Sequence, residues 1–198
     1  KNGETPRFNP FFIPKIIADI ASGLISIKYG LRGVNFTTIS ACATSNTAII
    51  DAMNYIKWGK ADMIITGGSE APINPSGIGG FNAARALSTR NDAPSIASRP
   101  FDVERDGFVM GEGSGTLILE SYEHAKARGA TIIAEVAGGG MAADAYHLTG
   151  THPEGEGAFL GMEEALKDAK IIPGDIDYIN MHGTSTPVGD PSELIALK

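Results

Sequence analysis

The sequence has one cysteine, four histidines and one tryptophan in 198 residues, no apolar run longer than a few residues, and no excess of positive charge. Each shortage excludes something. A lone cysteine cannot close an internal disulfide, which points to a reducing, cytoplasmic setting. It also leaves no Cys pair for zinc, and His147 and His152, five apart in a Gly/Pro-flanked loop, have no second pair to complete a ligand set, so no metal is expected. Runs such as Met63-Ile64-Ile65 and Leu117-Ile118-Leu119 fall far short of the roughly 20 residues needed to cross a bilayer, and the opening residues do not read as a signal peptide. Sixteen Lys and Arg stand against 23 Asp and Glu, a net charge of −7, so neither nucleic acid nor an anionic membrane is an expected partner.

What is present reads as a globular α/β protein. Hydrophobic residues make up 42% and charged residues 20%, and the length suffices for a sizeable core. The first 15 residues carry three prolines and no initiator methionine, and the last eight stop inside an amphipathic pattern; the chain reads as an excerpt of a longer one. Apolar spacing predicts a helix over 16–29, a strand over 34–39, a helix over 45–58 ended by Gly59, and a short strand over 62–66 stopped by Gly67-Gly68. A long loop region over 69–113, helical only around 83–87, is of the kind that carries function. Next come a strand over 115–120, a helix over 122–128, a strand from Thr131, a helix over 156–170 and a strand over 176–181. Such alternation predicts helices layered on a largely parallel sheet.

Cys42 is placed where the 34–39 strand gives way to a helix. A thiol at a helix's first turn faces unpaired backbone N–H groups, an environment that makes cysteines nucleophilic; the alternative is a small buried hydrophobe. His182 repeats the arrangement after the 176–181 strand, and its neighbours Thr184 and Thr186 supply hydroxyls for a polar ligand arm. Reactive residues at the C-terminal ends of strands are where ligands meet an open α/β sheet. A cysteine with a distant histidine suits acyl transfer. Gly111-Glu112-Gly113-Ser114-Gly115 precedes a strand and lacks the dinucleotide spacing, so nucleotide binding is not expected. His124 and the Glu163-Glu164 pair read as solvated helix faces.

Four runs stand in order: Ser40-Ala41-Cys42-Ala43-Thr44-Ser45, Gly79-Gly80-Phe81-Asn82-Ala83-Ala84-Arg85-Ala86-Leu87-Ser88, the stretch from Arg99-Pro100-Phe101-Asp102 through Arg105-Asp106-Gly107-Phe108 to Gly113, and His182-Gly183-Thr184-Ser185-Thr186-Pro187-Val188-Gly189-Asp190. Together they resemble the β-ketoacyl-[acyl carrier protein] synthases, synthase II above all, over essentially the whole chain. The resemblance implies a thiolase-like layered α-β-α-β-α fold of two related halves, partial here, with 1–129 the later part of the first half and 130–198 the start of the second. It implies a homodimer partnered by acyl carrier protein, no tightly bound cofactor, substrates carried on phosphopantetheine, and condensation of malonyl-carrier thioester onto an acyl-cysteine with loss of carbon dioxide. By position it makes Cys42 the acylated nucleophile and His182 one of two active-site histidines. Thr184, Thr186 and Thr149 become hydroxyls holding the phosphopantetheine arm, Glu193 the partner of an active-site lysine, and Phe81 and Phe12 walls of the acyl pocket, Phe12 reaching across the dimer.

The run Ala43-Thr44-Ser45 departs from the family's commoner Thr-Ser-Gly, and the family's lysine, second histidine and gating loop are expected C-terminal to Lys198. Two alternatives are a thiolase-like acyltransferase using coenzyme A and a non-catalytic chain-length or scaffold subunit. The latter has no need of Cys42 or His182.

Overall fold

The computed structural model describes residues 7–198, which divide into two compact units. One comprises the chain up to Gly67 with Leu117–Thr131, the other Gly68–Thr116 with Ile132–Lys198. Seven α-helices are assigned among the described residues: α1 (Phe12–Ile16), α2 (Ile20–Tyr29), α3 (Thr44–Lys57), α4 (Pro75–Ala83), α5 (Tyr122–Ala127), α6 (Glu156–Ala169) and α7 (Gly189–Ala196). Strands β1 (Met63–Glu70) and β2 (Gly113–Glu120) pair in a two-stranded sheet. The Ser121 N–H bonds Asp62 O at one end and the Ile73 N–H bonds Glu112 Oε1 at the other, so the pair is antiparallel rather than parallel.

The first unit is built around α3. Its buried face, Ala52 and Met53, meets Leu119 of β2, with Ile49, Ile50, Ile56 and Ile64 packed around them. The helix ends as expected at Gly59: with φ +66 it lets its own N–H reach Ile56 O and the Lys60 N–H reach Tyr55 O, satisfying two of the last carbonyls. The predicted 16–29 helix is broken at Ile17, whose extended backbone separates α1 from α2.

Three predicted strands do not form. Residues 34–39, the stretch from Thr131 and residues 176–181 carry the apolar character of strands but no ladder. Ile39, Ile133 and Tyr178 are 82%, 96% and 79% exposed. A strand exists only with a partner to take its N–H and C=O groups, and among the described residues none pairs with these segments. Residues 34–39 are held by side chains instead, Asn35 Nδ2 donating to Ser22 O at 3.0 Å and Thr37 Oγ1 to Ala18 O at 3.3 Å. β1, by contrast, runs through Gly67-Gly68 instead of stopping there.

In the second unit, α4 replaces the helix expected around 83–87. The Asn74 side chain accepts from Ser76 N and Gly77 N, both at 3.0 Å, and Pro75 occupies the first turn. That cap starts a helix in a glycine-rich stretch, and Arg85, at φ +55, ends it. The segment after it folds back: Leu87 bridges Phe108, and Asp106 accepts from Ser88 Oγ at 2.6 Å and Thr89 N at 3.1 Å. Those bonds, the Ser88 hydroxyl's foremost, hold the Asp106 carboxyl below its ordinary value.

His124 is not merely solvated. Its Nδ1 lies against Glu120, whose carboxylate also takes Arg128 Nε and Nη2, both at 2.7 Å. The Arg128 bonds outweigh desolvation and, with His124, lower the Glu120 pKa to about 2. Because the folded value lies below the unfolded one, the stabilisation is complete above the ordinary value of 4.5 and is lost as pH falls from there through about 2. Thermal melts between pH 5 and 2 should therefore fall less steeply for Glu120→Gln than for the parent chain; equal slopes would show that the cluster contributes nothing.

Candidate active site

Cys42 sits in a 3-10 turn, Ala41–Ala43, that runs directly into α3, and it is exposed. Ala41 has φ +49, a left-handed conformation that costs a non-glycine residue on the order of 1–3 kcal/mol and persists only where its surroundings enforce it. The enforcing contacts are hydroxyls. Thr44 Oγ1 donates to Ala41 O at 2.7 Å and accepts from Ser40 N at 2.9 Å; Ser40 Oγ and Thr47 Oγ1 lie 2.7 Å apart; Thr38 Oγ1 donates to Thr44 O at 3.2 Å. The Ala43-Thr44-Ser45 departure thus leaves Thr44 fastening the turn that presents the thiol.

His182 belongs to the other unit, in a turn leading to α7. Its N–H donates to Glu193 Oε1 at 2.5 Å and the Gly183 N–H to Glu193 Oε2 at 2.9 Å, so one carboxylate grips two successive amides. Resemblance makes Glu193 a lysine's partner; here both its oxygens take backbone N–H groups of the histidine turn. Thr184 Oγ1 and Thr186 Oγ1 are 3.0 Å apart and half-buried, a pair of hydroxyls on one side of the chain. Between them Ser185 is fully buried with φ +66, its Oγ accepting from Arg99 N at 3.0 Å and its carbonyl from Gly107 N at 3.1 Å.

The first turn of α7 collects this unit's loops. Asp190, 1% exposed, accepts from Phe101 N at 2.7 Å and Thr186 N at 3.3 Å, with Arg105 Nε 3.5 Å away. Ser192 Oγ donates to His152 O at 2.8 Å, tying α7 to the loop that carries Thr149. Thr149 is exposed, its N–H on His147 Nδ1 at 3.2 Å. His147 and His152 each spend Nδ1 on backbone amides, and no group of three or more His, Cys, Asp or Glu among the described residues is arranged to hold a metal ion. Gly113 and Gly115 lie within β2, so the Gly-x-Gly run heads a strand and opens no helix.

Phe81, on α4, makes an edge contact with Phe108 at 5.1 Å and remains half-exposed. Phe12, on α1 in the first unit, stacks at a tilt against Phe8 at 5.1 Å. Arg105 and Asp190 were not singled out from the sequence. They lie 85 positions apart, and the only signal was that both fall inside motifs.

No helix among the described residues is long and apolar enough to cross a membrane. Residues 1–125 match the model of the β-ketoacyl synthase N-terminal domain and residues 133–198 that of its C-terminal domain. Among curated relatives, the chain is 51% identical over 193 residues to a mitochondrial 3-oxoacyl-[acyl-carrier-protein] synthase of Arabidopsis thaliana, covering 97% of this chain and 42% of that protein. It is 53% identical over 192 residues to 3-oxoacyl-[acyl-carrier-protein] synthase 2 of Staphylococcus aureus, covering 97% and 47%. The chain thus spans less than half the length of these relatives. Among solved structures it matches a type II polyketide ketosynthase captured with its acyl-carrier protein, with a TM-score of 0.92, 41% identity and coverage of 95% of this chain and 46% of that one. It also matches a β-ketoacyl synthase from Burkholderia phymatum, with a TM-score of 0.85, 43% identity and coverage of 90% and 43%. On both sequence and backbone, the chain belongs to the β-ketoacyl synthase family and carries part of its thiolase-like α/β fold.

Proposed function

We propose that the protein is a β-ketoacyl-[acyl carrier protein] synthase that elongates fatty acyl chains by decarboxylative Claisen condensation. The observation that carries this reading is an exposed cysteine on a strained, hydroxyl-braced turn at the head of α3. Cys42 Sγ attacks the carbonyl of an acyl-carrier thioester; the new C–S bond replaces the old one, and the carrier thiol leaves. Malonyl-carrier thioester then loses carbon dioxide, the C–C bonding pair passing into an enolate whose oxygen takes an N–H from His182. The enolate carbon attacks the acyl-cysteine carbonyl, and collapse expels the Cys42 sulfur, which regains a proton. A chain-length subunit without chemistry would need neither residue.

Thr184, Thr186 and Thr149 hold the phosphopantetheine arm of acyl carrier protein, Phe81 lines the acyl pocket, and Phe12 reaches across the dimer to the pocket of the partner protomer. Paired hydroxyls half-buried beside the histidine turn support the first of these roles. The chemistry needs no tightly bound cofactor. Homodimerisation is part of the reading, supported by the exposed apolar residues Val34 and Ile39 in a segment that pairs with no strand among the described residues, and the single cysteine supports a cytoplasmic location.

In the complete gene product, iodoacetamide should label Cys42 faster than a free thiol, and prior incubation with acyl-carrier thioester should protect it. Slow labelling with no protection would sink the proposal. Protection by acyl-coenzyme A alone would move the assignment to the coenzyme A class.

A further inference from the structure

We propose that Arg105 is the positioning residue of the His182–Asp190 turn, its guanidinium holding the carbonyls that set where the histidine and the two threonines point. This rests on the function proposed above. Arg105 aims three N–H groups at three carbonyls: Nε at Thr186 O (2.9 Å), Nη2 at Pro187 O (3.1 Å) and Nη1 at Asp102 O (2.8 Å). The first two belong to the turn itself, and the third anchors the arginine in its own segment. Nε also lies 3.5 Å from Asp190 Oδ2, giving the buried carboxylate the opposite charge that its desolvation requires.

The turn needs an external hold. Ser185 is kept left-handed at φ +66, a conformation a serine leaves unless its surroundings over-determine it, and its relaxation would swing Thr184 and Thr186 apart. Most of the clamp is backbone: the N–H groups of Arg99, Phe101 and Gly107 reach Ser185 Oγ, Asp190 Oδ2 and Ser185 O. Many sequences could supply those amides. The guanidinium is different, because two adjacent carbonyls and a carboxylate require a planar fork, and lysine brings only one compact charge.

The test uses the complete gene product and reads acyl transfer to Cys42, carbon dioxide release from malonyl-carrier thioester, and Tm. Arg105→Lys, which keeps a cation for Asp190, should lower carbon dioxide release about 10- to 100-fold, the scale of a small displacement of a reacting group, while acyl transfer stays within about twofold. Arg105→Ala should lower it further. If Arg105→Ala does not fold, Arg105→Lys decides alone. Arg128→Ala, which breaks the Glu120 cluster far from this turn in sequence, serves as the control: it should lower Tm and leave the ratio of the two half-reactions unchanged. Carbon dioxide release within about twofold of the parent in Arg105→Lys, or a parallel fall of both half-reactions with Tm, overturns the positioning role. Full carbon dioxide release by His182→Ala would instead overturn the underlying function, so the two failures are told apart.

Discussion

Replacing His182 with alanine should leave Cys42 able to accept an acyl chain and reduce malonyl decarboxylation and condensation by about 10²–10³-fold, equivalent to about 2.7–4 kcal/mol of lost oxyanion stabilisation. The asymmetry follows from where charge develops. Acylation places the reacting carbonyl beside Cys42, whose own backbone N–H is by resemblance an oxyanion donor, whereas decarboxylation puts a full negative charge on the malonyl thioester oxygen. By resemblance His182 is one of two histidine donors for that oxygen. The backbone of the turn should survive the change, since Glu193 grips the amides of residues 182 and 183 and not the imidazole. Burst acylation with a radiolabelled acyl-carrier thioester, beside carbon dioxide release from malonyl-carrier thioester, checks the split. Equal loss in both would assign His182 to acylation.

Gly107→Ala should be strongly damaging to the second unit. Gly107 has φ +147, and a Cβ there would stand 2.5 Å from the Leu87 carbonyl carbon, 2.6 Å from Ser88 N and 2.7 Å from Ala86 O, all backbone atoms that cannot rotate away. Backbone strain of about 1–3 kcal/mol and overpacking of about 1–3 kcal/mol together threaten a total stability that is typically about 5–15 kcal/mol. The damage should reach the site, because relief of the clash pulls the Gly107 N–H off Ser185 O and strains the Leu87–Phe108 bridge. Urea denaturation should show the loss. A midpoint within error of the parent would mean that the 86–88 backbone yields without cost.

Helices with a clear periodic face and an honest stop were legible from residues alone. α3, α5 and α6 stand where spacing puts them, because a helix satisfies its hydrogen bonds within its own segment. Strands are not self-sufficient in that way. The runs at 34–39 and 176–181 announce an appetite for a partner but not its identity, and without one they remain open. α4 was misplaced because three glycines argue against a helix more loudly than one Asn-Pro start argues for it, yet the cap decides. Cys42, His182 and the two threonines were readable as chemistry-bearing residues next to element ends. The grip of Glu193 on two amides, the fork of Arg105 and the buried Asp190 were not, since each joins segments whose proximity only the fold creates.

The first five residues of α7 hold three carbonyl- and amide-rich segments at once: Asp190 takes Phe101 and Thr186, Ser192 takes His152, and Glu193 takes His182 and Gly183. All five bonds end on α7 side chains, so they are lost together when the helix lifts. Local opening in this corner is therefore one concerted event with a single free energy, so the histidine turn and the loop bearing Thr149 exchange with solvent, fray and re-form as one unit, slower and rarer than loops of their length would do alone.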